Sequence, residues 1–330
     1  MKKTLYLFTK GELVRKDNTL CFKTAEGNRF VPVENINEIY MMGEVNFNKR
    51  LLEFLSQREI VLHIFNYHQY YMGSFYPREH LNSGYVLLKQ AQCYLEEERR
   101  KELAQKFVEG GAKNMLKVLK YYQSRGKEVS EGIEKIENLI EKLENAENIE
   151  VMMAIEGNIR EQYYRNFDQI LEKEEFVFEN RTRRPPQNNL NTLISLGNSI
   201  LYTQCLSEIY KTHLDPRIGF LHTTNYRRFS LNLDVAEIFK PIIVDRTIFT
   251  VIGRGMIKGE DFVKGTEGLM MKDKAIKTFI SELENKLKTT IKHKSLGREV
   301  SYRRLIRLEC YKIEKHIIGE KKYEPFYAQW

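Results

Sequence analysis

The stretch GFLHTTNYRRFSLNLDVAEIFKPIIVD, residues 219–245, sets one histidine and three carboxylates among residues that otherwise suit a protein interior. Ser230 suits an N-cap, so a helix is expected to begin there. At about 100° per residue, Asp234, Glu237, Pro241 and Asp245 share one edge of that helix, and Leu231, Val235, Ile238, Phe239 and Ile242 form its apolar side. Pro241 kinks or restarts the helix, which places Asp245 less securely on that edge and leaves it as a structural partner for a nearby arginine. Asp234 and Glu237, at i and i+3, can jointly face a divalent cation, and hard oxygen ligands suit Mg²⁺ or Mn²⁺. His222, in the loop before the helix, can fold back as a nitrogen ligand or a proton carrier. The competing reading is that the carboxylates line a solvated helix face and the histidine is structural.

A second carboxylate stands in MAIEGNIREQYYRNF, residues 153–167. Ile155, Ile159 and Phe167 form an apolar stripe with Glu156 one position off its edge, so Glu156 is expected to be half-buried. Gly157 costs the helix about 1 kcal/mol relative to Ala, and an interior glycine marks close approach by a backbone or ligand. Arg160 and Tyr163 or Tyr164 could bind phosphate and stack on bases; otherwise Arg160 simply pairs with Glu156 at i and i+4. A third stretch, NRTRRPPQNNLNTLISLGNSILYTQCL, opens with Arg181, Arg183 and Arg184 in a proline-stiffened loop. Its helix carries Asn191, Ser195, Asn198 and Tyr202 as a polar stripe, which either satisfies neighbouring helix ends or lines a polar groove.

Positioning these groups requires a framework, and the chain divides in two by periodicity. Short β-type runs fill the first part: Leu5 to Phe8, Glu12 to Arg15, Thr19 to Phe22, Arg29 to Val33, Ile36 to Met42, Val61 to Phe65 and Tyr70 to Phe75, with a short helix at Asn48 to Gln57. From Tyr85 apolar residues recur every three to four positions, and the amphipathic stripe Ile133, Ile136, Leu139, Ile140 and Leu143 is typical. Helices are expected over Ile149 to Lys173, Asn188 to Thr212, Ser230 to Thr250, Lys272 to Lys292 and Ser301 to Ile318. The expected fold class is α+β, a β-rich domain over 1–84 followed by a larger all-α domain over 85–330.

Composition closes off other classes. The 330 residues are 42% hydrophobic, enough for a sizeable core, and no apolar run reaches the roughly 18 to 20 residues of a membrane span, so a soluble intracellular protein is expected. Cys21, Cys93, Cys205 and Cys310 are scattered, which argues against structural zinc and a disulfide framework. No Walker A loop, dinucleotide fingerprint, H-E-x-x-H or G-x-S-x-G occurs, and the glycines of VIGRGMIKGEDFVKGTEG read as turns. The formal net charge is +8, with twelve Lys and Arg against five Glu from Lys286 to Trp330. Such a region either attracts a polyanion, nucleic acid before an anionic membrane, or is an ordinary solvated helix face.

Taken in order, EGN at 156–158, RTRRPPQNNLNTLISLGNSILY, LDPRIGFLH, SLNLDVAEIFKPIIVDR and VSYRRLIRLECYKIEKHIIGEKKYEPF resemble the CRISPR-associated adaptation integrases, metal-dependent DNA endonucleases that insert spacer DNA into CRISPR arrays. The resemblance spans most of the helical domain. It implies that Glu156, His222 and Glu237 are the catalytic metal ligands for Mg²⁺ or Mn²⁺, with Asp234 as an auxiliary acid; some members carry aspartate at the position of Glu237. It implies attack by a DNA 3′-hydroxyl on a phosphodiester, with Arg181, Arg183, Arg184, Arg227, Arg228 and the basic C-terminal helices holding double-stranded and branched DNA. It further implies a homodimer paired through the β-rich domain, a small ferredoxin-like companion protein, and a cytoplasmic location. Two other readings share the ancestry: a non-catalytic dimeric nucleic-acid-binding module, and an integrase relative serving a mobile element or DNA repair.

Overall fold

The computed structural model describes residues 2–77, 81–183, 185–222, 229–265, 268–293 and 296–329. Arg184, Arg227 and Arg228 lie outside these described residues. The chain forms two compact units, Met1–Asn82 and Ser83–Trp330.

The first unit holds two four-stranded sheets, one of them centred on the nearly fully buried strands over Ile36–Met41 and Val61–Phe65. One has the order β1-β5-β7-β8, from β1 (Lys3–Leu7), β5 (Ile36–Met41), β7 (Val61–Phe65) and β8 (Tyr71–Phe75). Its first three strands are parallel and β8 runs antiparallel to β7. The other has the order β4-β3-β2-β6, from β2 (Gly11–Lys16), β3 (Thr19–Thr24), β4 (Gly27–Pro32) and β6 (Val45–Phe47). Strand β6 is three residues long, too short to show a period in sequence. Helix α1 (Lys49–Gln57), capped by the Asn48 side chain on the Leu51 amide, buries Leu51, Phe54 and Leu55 in a core shared with Leu13, Leu20, Ile39 and Leu62. Each such leucine fully removed from water contributes roughly 2 kcal/mol.

The second unit is mostly helical: α2 (Gly84–Leu95), α3 (Glu97–Gln123), α4 (Ser130–Leu143), α5 (Ile149–Arg165), α6 (Phe167–Leu171), α7 (Asn189–Tyr210), α8 (Leu231–Lys240), α9 (Arg246–Gly253), α10 (Asp273–Lys288) and α11 (Tyr302–Ile317). Helix α7 is buried on every side from Leu190 to Leu206, which explains why its sequence shows little amphipathic periodicity. Helices α3 and α8 approach closely because Gly110 and Gly111 present no side chain: a Cβ on Gly111 would stand 3.1 Å from the Glu237 carbonyl oxygen. None of the described helices is long and apolar enough to cross a membrane, and all four cysteines are buried free thiols.

Four expectations need correction. The unit is not all-α: β9 (Phe262–Gly265) pairs with β10 (Gly268–Met271), and β11 (Thr290–His293) with β12 (Arg298–Ser301), each as an antiparallel hairpin. The helix expected to reach Lys292 therefore stops at Lys288, where Thr289, Thr290 and Ile291 favour extended backbone. The helix expected over Ile149 to Lys173 divides at Asn166 into α5 and α6. Between α8 and α9 the winding does not break and restart but continues as a π-helical turn, Pro241–Asp245. Pro241 cannot donate to the Glu237 carbonyl, and the wider turn accommodates that missing bond; the Ile238 carbonyl next to it accepts from the Asn114 side chain at 2.9 Å.

Candidate metal centre

The acidic edge of α8 is buried, not solvated. Asp234 is fully buried and Glu237 is 3% exposed. They face different partners. Asp234 turns to the loop before the helix, where its Oδ2 accepts the amides of Phe220 at 2.6 Å and Leu221 at 3.2 Å, and its Oδ1 accepts the amide of His222 at 2.9 Å. The same Oδ1 lies 2.8 Å from His222 Nδ1. A carboxylate only accepts, so Nδ1 carries a proton, and in the neutral ring Nε2 is the nitrogen with a lone pair for another partner.

That loop is fixed from several directions. Gly219 is required: a Cβ there would lie 2.9 Å from Asp234 Oδ2 and 2.8 Å from the Ser230 carbonyl carbon. Ser230 occupies the N-cap position, yet its hydroxyl does not cap the helix; it accepts the Gly219 amide at 2.8 Å and donates to the Arg217 carbonyl at 2.8 Å. Gln90 of α2 donates to the carbonyls of Asp215 at 2.9 Å and Ile218 at 2.8 Å, and Arg100 of α3 donates to that of Phe220 at 3.0 Å. His222 thus sits on a segment held by α2, α3 and α8.

Glu237 turns to α5. A single guanidinium nitrogen, Arg160 Nη2, bonds both Glu156 and Glu237, although the latter is 77 residues away in sequence. Lys240, one turn after Glu237 on α8, donates to Glu237 Oε1 at 2.5 Å and lies 4.7 Å from the Tyr202 ring centroid. Burial drives the Glu237 carboxyl upward, but the charges of Arg160, Lys240 and His222 outweigh it and hold the group at about 2. The Glu156 to Arg160 pair is therefore half of a bridge between helices. Gly157, expected to mark a close approach, has no atom of the described residues within 4 Å of the place its Cβ would take, so none of them makes that approach.

Asp245 makes no ion pair with an arginine among the described residues. It is 1% exposed, faces the Tyr163 hydroxyl, and is pushed up to about 7 by burial, against the pull of Arg160 and Lys240. Arg181 turns inward: it donates to Asn191 Oδ1 at 2.9 Å and Ser195 Oγ at 3.0 Å, so the first half of the polar stripe of α7 is satisfied by this arginine, whereas Asn198 Oδ1 finds no hydrogen-bond partner among the described residues; Arg183 is exposed. Lys240 carried a signal that sequence reasoning passed over, a basic residue at i+3 from a carboxylate on the same helix. Asn114 and the Gly110–Gly111 pair carried none, since their partners on α8 are set by the tertiary fold alone.

Among the described residues no three His, Cys, Asp or Glu side chains already form a metal nest. The donor chemistry nonetheless fits a divalent cation. Two carboxylates from different helices converge on one point, which a protein cation occupies, and His222 is oriented by a carboxylate in the manner of metal-ligating histidines.

A β-rich unit followed by a mostly helical one that carries Glu156 on α5, Glu237 on α8 and His222 on the loop before it defines an α+β class that comparison with known proteins identifies. The family model for CRISPR associated protein Cas1 matches residues 5–285. The chain is 57% identical over 330 residues, the whole of both chains, to CRISPR-associated endonuclease Cas1 2 of Thermodesulfovibrio yellowstonii. The solved structure of a Cas1 protein from Thermotoga maritima superposes with a TM-score of 0.89 at 46% identity, covering 98% of this chain and 99% of that one. A casposase bound to integration product shares the fold, with a TM-score of 0.89 at 23% identity over 99% of this chain and 94% of that one. The chain belongs to the CRISPR-associated Cas1 family.

Proposed function

We propose that this chain is a DNA endonuclease and integrase that inserts spacer DNA into a CRISPR array, working at a divalent metal site for Mg²⁺ or Mn²⁺ held by Glu156, His222 and Glu237. The observation that carries this reading is the convergence of Glu156 and Glu237 on one cation position, beside a histidine that Asp234 orients. A bound divalent cation supplies polarisation of a phosphodiester and stabilisation of charge on a departing 3′ oxygen. Glu156 and Glu237 offer the hard oxygen donors, and His222 offers Nε2. Asp234 keeps the histidine proton on Nδ1 and clamps the loop through three amides, a positioning role in place of the ligand role its spacing suggested. A DNA 3′-hydroxyl is the attacking group, so the transesterification needs no covalent protein intermediate.

Exposed Arg183, with Arg184, Arg227 and Arg228 and the basic C-terminal region, is assigned to the phosphate backbone, whereas Arg181 acts through α7. The partners in this reading are double-stranded and branched DNA, a second copy of the chain joined through the β-rich unit, and a small ferredoxin-like companion protein, all in the cytoplasm. The test is cleavage and joining of branched DNA by the purified protein with Mn²⁺ or Mg²⁺. Glu156→Gln and His222→Ala are expected to abolish both reactions with circular dichroism unchanged; full activity in either variant overturns the assignment.

A further inference from the structure

Two ladders of side chains face each other behind the proposed metal site. Helix α5 presents Glu156, Arg160 and Tyr163 at i, i+4 and i+7, and α8 with its π-helical extension presents Glu237, Lys240 and Asp245. The first rungs are bound by Arg160 and Lys240. The last rung has no basic partner: Asp245 Oδ1 and the Tyr163 hydroxyl, both buried, have no hydrogen-bond partner at ordinary distance among the described residues, and the hydroxyl stands only near enough to Asp245 to act on its charge. An orphaned buried carboxylate oxygen is costly and asks for a cation. Asp245 feels both Arg160 and Lys240 electrostatically. Two basic groups serve three carboxylates here, and a divalent ion on Glu156 and Glu237 would leave Arg160 without its present partners.

We propose that Asp245 is a positioning residue that receives the Arg160 guanidinium when a divalent cation takes over Glu156 and Glu237. Arg160 then acts as a built-in competitor for the metal, and Asp245 sets the competition by giving the displaced charge a buried anion to move to. This rests on the metal-site reading above. Arg160 stands at i+4 from Glu156 and i−3 from Tyr163 on α5, so its position on the helix lies between the first rung and the last.

The test begins with the wild-type protein: a crystal structure with Mn²⁺ bound is expected to show Arg160 within hydrogen-bond distance of Asp245. Arg160 remaining on the glutamates or pointing to solvent overturns the proposal while leaving the metal site intact. Calorimetry supplies a second readout. Asp245→Asn, nearly isosteric, is expected to raise the Mn²⁺ dissociation constant about tenfold, as for other residues that orient ligands indirectly, with the melting temperature of the metal-free protein not lowered. In an Arg160→Gln background the same substitution is expected to change Mn²⁺ affinity by less than about twofold. An equal loss in both backgrounds, or no loss in either, rejects the coupling. Failure of the wild type to bind Mn²⁺, or binding undiminished by Glu156→Gln, sinks the metal-site reading and this inference with it.

Discussion

Replacing Lys240 by Met removes one of the two cations on a carboxylate that is 3% exposed, at little cost in volume. Breaking a buried pair leaves an uncompensated charge, and metal-free protein is expected to lose about 3 kcal/mol in urea denaturation, most of it regained in Lys240→Met with Glu237→Gln. Asp245 sets a pH dependence of its own. Its folded value of about 7 lies above its ordinary range, so between about pH 4 and 7 the folded chain holds a proton that the unfolded chain does not. Stability from this group is full below about pH 4 and declines as pH rises through 7. The groups facing it are Tyr163, Arg160, Lys240 and Glu237. Glu237 has the opposite sign: its value of about 2 gives stability above its ordinary range that is lost as pH falls towards 2. Melting curves of metal-free Asp245→Asn are expected to lack the decline between pH 4 and 7 while keeping the acid limb. The spacing of Asp234 and Glu237 on one helix edge was legible in the sequence. Their division of labour was not, because Asp234 spends its oxygens on amides of residues 220–222 that only the folded loop brings to it.

At the scale of elements, the loop 213–222 and helix α8 act as one part. Gly219→Ala would drive a Cβ against Ser230 and the Asp234 carboxylate, so the loop must back away from α8. The expected cost is about 1 to 3 kcal/mol in thermal or chemical unfolding, together with a loss of nuclease activity larger than that destabilisation explains, because His222 moves with the loop. Asn114→Ala removes the donor to the carbonyls of Ile238 and Phe326 and the acceptor for the Ala328 amide. Stranding these groups is expected to cost about 2 to 3 kcal/mol by the same measurement. Periodicity foretold the amphipathic helices, such as α4 and α10, because each buries an apolar stripe, whereas α7 is buried on every side. Periodicity failed where four-residue strands follow directly on a helix, as at Thr290, since so short a run cannot display a period of two.

For the whole molecule, the surplus of base over acid is partly spent inside the C-terminal region. Arg303 pairs with Glu284, Arg307 with Glu208 and Lys312 with Glu309. The twelve-to-five count therefore overstates the field available to a polyanion. Arg298, exposed on β12, and Arg183, exposed before α7, have no acidic partner among the described residues. If each contacts a phosphate, substituting either by Ala should lower the slope of log affinity against log salt by about 0.9 on duplex DNA, measured by fluorescence anisotropy. An unchanged slope removes that arginine from the interface. The change in period near Tyr85 showed that the chain has two parts, whereas the charge partners, drawn from α7 and α10, were beyond any reading of local composition.

The π-helical turn at Pro241–Asp245 lets this chain hold one residue more than its contacts need. A π turn is an α-helix with one residue inserted, and its wider winding absorbs that residue: Glu237 and Asp245 would stand about 80° apart on a regular α-helix but share a face across the turn. If the same residues wound as a regular helix, Asp245 would leave Tyr163, and Phe249, which packs on Phe167 with ring centroids 4.6 Å apart, would leave its seat. Deleting one residue such as Ile242 would instead let a regular helix replace the turn, with everything after it turned by only about 20°. Natural relatives that share these contacts are therefore expected either to keep the π turn or to lose it together with one residue of 241–245.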